Sequence, residues 1–161
     1  MTTKTLVAGI GNIFNGDDGF GSEVAQLLTT RPVPPGVRVE DYGIRGVHLA
    51  YELLEGYDLV VLVDAVARGD PPGTVYVLEP SLDFDEIPPL DSHQMDPRAV
   101  LGMVADMGGT IGQLLLVGCE PQSMAEGIGL SAPVAGAVER AAQAVLEIIA
   151  APELIAEEGI T

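Results

Sequence analysis

The sequence predicts an α/β fold on a mixed, largely parallel sheet, and three observations carry that expectation. The 161 residues are 47% hydrophobic but only 4% aromatic, a composition that suits buried parallel strands covered by helices better than an aromatic sandwich. Short apolar runs alternate with stretches of helical periodicity. The connection Ala65 to Gly73, containing "GDPPG", is too short for the crossover helix of a parallel return, so the strand after it is expected to run antiparallel. The length is that of one domain, residues 1–161, able to bury a core without staples.

Each element follows from local pattern. Thr5 to Ile10 is an apolar run ending at Gly11. Ser22 to Thr30, with Val24, Ala25, Leu27 and Leu28, reads as a helix closed by Pro32, Pro34, Pro35 and Gly36. Val37 to Asp41 is a second strand, and the helix after it carries Val47, Ala50, Tyr51 and Leu54 on its expected apolar face, ending at Gly56. Asp58 to Asp64, "DLVVLVD", is the clearest buried strand: five consecutive apolar residues closed by a carboxylate. Thr74 to Glu79 is the antiparallel candidate.

Leu82 to Asp91 reads as an acidic, proline-punctuated loop. Asp96 is expected to cap a helix with Pro97 at its first position, running to about Met107 before Gly108 and Gly109. Leu114 to Cys119 is the last strand. Ser131-Ala132-Pro133 opens one long helix to about Ala150, with the stripe Val134, Val138, Ala141, Val145, Ile148 and Ile149, and the acidic tail at 151–161 is expected to fray.

Seven basic residues against 24 acidic ones leave a net charge of −17. Such a charge keeps a protein soluble and repels phosphates and anionic lipid, so no nucleic-acid or membrane partner is expected. Cys119 is the single cysteine, which excludes an internal disulfide. The N-terminus lacks a secretory pattern, and no apolar run approaches the roughly 18 residues of a membrane span, so the expected location is cytoplasmic.

The chemistry concentrates in "GIGNIFNGDDGFG", residues 9–21. Gly11 and Gly16 have the spacing of a phosphate loop, but Asp17 and Asp18 stand where that loop needs Lys and Ser or Thr, and Phe14 replaces the third glycine of a dinucleotide fingerprint. Two readings of the acidic pair stay open: helix capping with a first-turn carboxylate, or ligation of a cation. Asp64 closes its strand, and ligands in open α/β sheets gather beyond the carboxyl ends of strands, so Asp18 and Asp64 are expected at one edge.

His93, in "DSHQMDP", is either an ordinary surface or capping histidine, as His48 in its helix is, or the third member of a set. Asp18, Asp64 and His93 together suit a borderline divalent ion such as nickel, zinc or iron. Cys119 raises a rival Cys–His nucleophile pair, against its plainer reading as a small buried hydrophobe. No serine sits in a G-x-S-x-G elbow.

Five ordered stretches carry a family resemblance: "GIGNIFNGDDGFG", "DYGIRG", "VLVDAV", "SHQM" and "GCEPQSMAEGIGLSAPV". From about residue 5 to residue 150 the sequence resembles the hydrogenase maturation proteases, endopeptidases that trim the C-terminus of nickel-iron hydrogenase large subunits. The resemblance implies a three-layer α/β/α sandwich of the phosphorylase/hydrolase-like kind, with a five-stranded mixed sheet and one antiparallel strand. It implies an aspartic-type peptidase whose partner is the large-subunit precursor and whose nickel is supplied by that substrate; a monomer is expected, because a protein substrate must approach the open strand edge. Carried over by motif, the metal-contacting and catalytic positions are Asp18, Asp64 and His93, with Asp41 in a supporting role. Tyr42 departs from the family's glycine beside Asp41. Whether the metal acts as Lewis acid or only positions the peptide stays open, as does the choice of Asp41 or Asp17 as base. The alternatives are a non-catalytic nickel-sensing checkpoint or chaperone for the same subunit, and a small acidic binding domain.

Overall fold

The structure, a computed structural model, describes residues 3–80 and 97–151. Its elements are β1 (Thr5–Ile10), a 3-10 turn (Gly16–Gly19), α1 (Phe20–Leu28), β2 (Val37–Gly43), α2 (Gly46–Leu53), β3 (Tyr57–Ala65), β4 (Val75–Leu78), α3 (Pro97–Asp106), β5 (Ile111–Cys119), α4 (Ala132–Ala135) and α5 (Val138–Ala150). The expected loop from Leu82, the cap at Asp96, His93 and the tail from Pro152 lie outside the described residues.

The five strands form one sheet in the order β2-β1-β3-β5-β4. β2, β1, β3 and β5 are parallel, and β4 runs antiparallel to β5, with Val75 opposite Cys119 and Leu78 opposite Leu116. The short connection after β3 thus reverses the chain as expected. It delivers β4 not beside β3 but one strand further out, because β5 enters between them.

Unbroken apolar runs in the central strands follow from burial on both faces. Val7, Val61, Val63, Leu115 and Val117 pack with α1 and α5. Their neighbours Leu6, Ala8, Val60, Leu62, Leu114 and Leu116 point the other way and pack with α2 and α3. That alternation is the period of two of a strand, and it makes a three-layer sandwich. Each buried Val or Leu side chain contributes about 1.5–3 kcal/mol relative to exposure.

Two helical expectations need correction. The buried residues of α2 are Leu49, Ala50 and Leu53, while Val47 and Tyr51 are 53% and 58% exposed. The helix turns its Leu/Ala side to the sheet because the i, i+1, i+4 set at 49, 50 and 53 forms a stripe as continuous as the predicted one. The long C-terminal helix is in fact α4 and α5, broken at Gly136 and Ala137. Ala137 N–H bonds Val134 at three-residue spacing, a tightening that glycine's low helix propensity permits. Arg140 donates to the Gly136 and Gly73 carbonyls there.

One close approach sets the position of everything at the carboxyl edge. A Cβ on Gly21 would lie 2.1 Å from the Val63 carbonyl and 2.3 Å from that of Ile10. Only glycine lets α1 sit this low across β1 and β3, which brings the turn before it against the ends of both strands.

Candidate active site

β1 and β3 are neighbours whose onward connections lead to opposite sides of the sheet, β1 to β2 and β3 toward β5 and β4. Their carboxyl ends therefore flank a switch in strand order, where open α/β sheets hold ligands. Asp64 is the penultimate residue of β3 and Asp18 lies in the 3-10 turn after β1; they are 0% and 2% exposed.

The two carboxylates are differently served. Asp18 Oδ2 accepts from Asn12 N–H at 2.9 Å. Asp64 Oδ1 accepts from Ala65 N–H at 2.7 Å, but its buried Oδ2 has no hydrogen-bond partner among the described residues. Burial, reinforced by the negative charge of Asp18, drives the Asp64 carboxyl well above the usual carboxylate range, against the opposing Ala65 hydrogen bond.

Asp17 points elsewhere. It is fully buried, and its carboxylate accepts from Gln122 N–H, Ser123 N–H, Ser131 N–H and Ser131 Oγ at 2.7–2.9 Å. Burial alone would raise its pKa, but the combined hydrogen bonds from Ser123, Ser131 and Gln122 hold it below its ordinary value. The expected capping role does not hold: Asn15 caps the 3-10 turn, Gly19 caps α1, and neither cap bond is made by a side chain. The free amides of the loop at 122–131 compete for the carboxylate and win.

Glu120 is a second buried clasp. Its Oε1 accepts from Arg68 N–H, Asp70 N–H and Tyr76 Oη, tying down the β3–β4 connection. Sequence reading missed it, as it missed Asn12; only the acid directly after a strand end in "GCEP" hinted at it.

Asp41 borders a cavity of about 270 Å³ together with Gly11, Asn12, Phe14, Ser22 and Arg45. Its Oδ1 accepts from Ser22 Oγ at 2.7 Å and its Oδ2 from Gln26 Nε2 at 3.2 Å, which links the end of β2 to α1. The register between β1 and β2 shifts here, Gly9 facing Asp41 and Ile10 facing Gly43. The extra residue is Tyr42, and its ring is buried among Leu49 and Leu53. Tyr42 is thereby absorbed in the core, and the bulge leaves Asp41 on the cavity wall.

The structure therefore brings Asp18 and Asp64 together and sets Asp41 along the adjoining cavity. His93 lies outside the described residues, and among those residues no three His, Cys, Asp or Glu side chains gather as a metal site. The fit to a divalent ion rests on the donor set: a buried carboxylate oxygen without a partner, beside a second carboxylate. Cys119 is buried, and burial, reinforced by the charge of Asp17, pushes its thiol up to about 11, so it is not a ready nucleophile. No helix among the described residues is long and apolar enough to cross a membrane.

These features define an α/β protein with its chemistry at the carboxyl edge of a mixed sheet, built around a carboxylate pair. A family model described as hydrogenase maturation protease matches residues 22–148. The hydrogenase expression/formation protein HoxM of Azotobacter vinelandii is 33% identical over 94% of this chain and 74% of its own. The hydrogenase 2 maturation protease of Escherichia coli is 30% identical over 89% and 88%. The solved structure of the hydrogenase maturating endopeptidase HybD from E. coli superposes with a TM-score of 0.79 at 28% identity, covering 97% of this chain and 94% of that one. The chain belongs to the hydrogenase maturation protease family.

Proposed function

We propose that this endopeptidase removes a C-terminal peptide from the nickel-loaded precursor of a nickel-iron hydrogenase large subunit, and that Asp18, Asp64 and His93 contact the nickel the substrate brings. The observation that carries this reading is the buried Asp64 Oδ2, without a partner and beside Asp18. An unpaired buried carboxylate oxygen is costly for a fold, and a cation ligand is what would repay it.

In this reading the nickel anchors the substrate and the scissile bond lies across the cavity that Asp41 borders. Water adds to the peptide carbonyl, its proton passes to Asp41, and that proton goes to the departing amine as the C–N bond breaks. The position of Asp41 on the cavity wall supports its part. Asp17 is a poor base, because four hydrogen bonds already stabilise its ionised form.

The test is the mass of purified large-subunit precursor, with and without nickel, after incubation with the protein. Loss of a short C-terminal peptide from the nickel-loaded sample alone is expected. Asp18→Ala and His93→Ala should each leave the precursor intact, and full processing by both would remove the site assignment. Unchanged mass with nickel-dependent binding would instead favour a checkpoint or chaperone.

A further inference from the structure

Four of the large hydrophobic residues that stay exposed gather at the cavity and on α2. Phe14, 58% exposed, and Ile44, 43% exposed, both line the 270 Å³ cavity beside Asp41. Val47, 53% exposed, follows Ile44 by three residues, and Tyr51, 58% exposed, follows Val47 by four. Val47 and Tyr51, four apart within α2, lie along one side of the helix, and Ile44 stands just before its N-cap Arg45 on the cavity wall, so exposed apolar residues continue from the cavity mouth onto α2. Single exposed hydrophobics need no explanation, but a contiguous set marks an interaction surface.

The stripe also departs from the protein's overall charge. From Ile44 to Tyr51 the exposed residues are Ile44, Arg45, Val47, His48 and Tyr51, three apolar side chains and two nitrogen bases. No carboxylate stands among them in a chain with 24 acidic residues.

We propose that this face of α2, continued by Ile44 and Phe14, is a docking surface for the folded body of the protein substrate, engaging an apolar patch bordered by carboxylates that meet Arg45 and His48. The proposal rests on the protease reading above. Continuity with the cavity favours the substrate over a second copy of this chain: a copy seated here would cover the mouth through which a protein substrate must enter. Docking away from the scissile bond supplies binding shared by ground and transition states, so it acts on KM and leaves kcat alone.

The experiment measures peptide release from nickel-loaded precursor over a range of precursor concentrations. It uses the wild-type protein, the double variant V47S/Y51S, and M107S as an exposed control outside the stripe. V47S/Y51S should raise KM about tenfold or more with kcat held, as expected for an exposed aromatic and its aliphatic neighbour lost from an interface, while M107S behaves as wild type. An unchanged KM in V47S/Y51S, or a fall in kcat alone, overturns the docking surface while the protease reading stands. No cleavage by the wild type overturns both. A wild-type dimer in solution that V47S/Y51S converts to monomers makes a second copy the occupant and also overturns the proposal.

Discussion

Asp64 is completely buried at the end of β3, and the charge that most raises its proton affinity, after burial itself, is that of Asp18. Two carboxylates so placed resist ionising together. The pair therefore stores a preference for one positive charge, supplied by a proton or by a cation.

Asp64→Asn should for that reason raise the thermal midpoint while abolishing cleavage. In the folded chain the carboxyl keeps its proton well above 3.8. Above that ordinary value the folded state binds a proton the unfolded state has lost, so stability falls as pH rises toward the raised value. The amide removes this slope and turns the orphaned oxygen position into a donor beside Asp18. Melting curves should show a larger gain over wild type at about pH 8 than at about pH 4, and equal gains at both would contradict the buried pair.

Asp17→Ala should do the reverse. It leaves the N–H groups of Gln122, Ser123 and Ser131 without their acceptor, at a cost of about 3 kcal/mol. Because the Asp17 pKa is depressed, the part of its contribution that ionisation supplies is complete above 3.8 and is lost as pH falls through the lowered value. In denaturant titrations Asp17→Asn, which keeps one acceptor oxygen, should fall between wild type and Asp17→Ala, and the gap between wild type and Asp17→Ala should narrow in acid, where the protonated carboxyl also keeps an acceptor.

Gly11→Ala should disrupt the site more than its size suggests. Gly11 has φ +128°, and a Cβ there would meet the Asp18 carbonyl at 2.0 Å and Asp64 Oδ1 at 3.1 Å. The strain is on the order of 2 kcal/mol or more, and its relief must displace the turn that carries Asp18. Activity should fall further than stability, and a variant of wild-type activity would argue against the tight packing of the two loops.

Cys119→Ser should leave cleavage intact and cost about 1 kcal/mol for placing a hydroxyl in the core. Thiol-modifying reagents should not inhibit the native protein, since the buried thiol is held up to about 11. Loss of turnover in the variant at unchanged fold would restore the nucleophile reading.

The exposed stripe on α2 shows why pattern alone misplaced one face. Val47, Ala50, Tyr51 and Leu54 and the observed Leu49, Ala50 and Leu53 are both helical sets within the same short stretch from Val47 to Leu54. Amphipathicity cannot choose between two apolar stripes; the fit of small and branched side chains onto the sheet does.

By itself the sequence determined the strand cores, the mixed sheet and the acidic turn, because period, short connections and charge inversion are local properties of the chain. It also placed Asp18 and Asp64 at one edge, since strand ends in a parallel sheet share a direction. Tertiary structure alone decided what each acid does. Asp17 and Asp18 are adjacent in sequence, yet one saturates the amides of a loop more than a hundred residues away and the other faces Asp64. That division depends on which donors long-range packing brings within reach, and no local pattern encodes it.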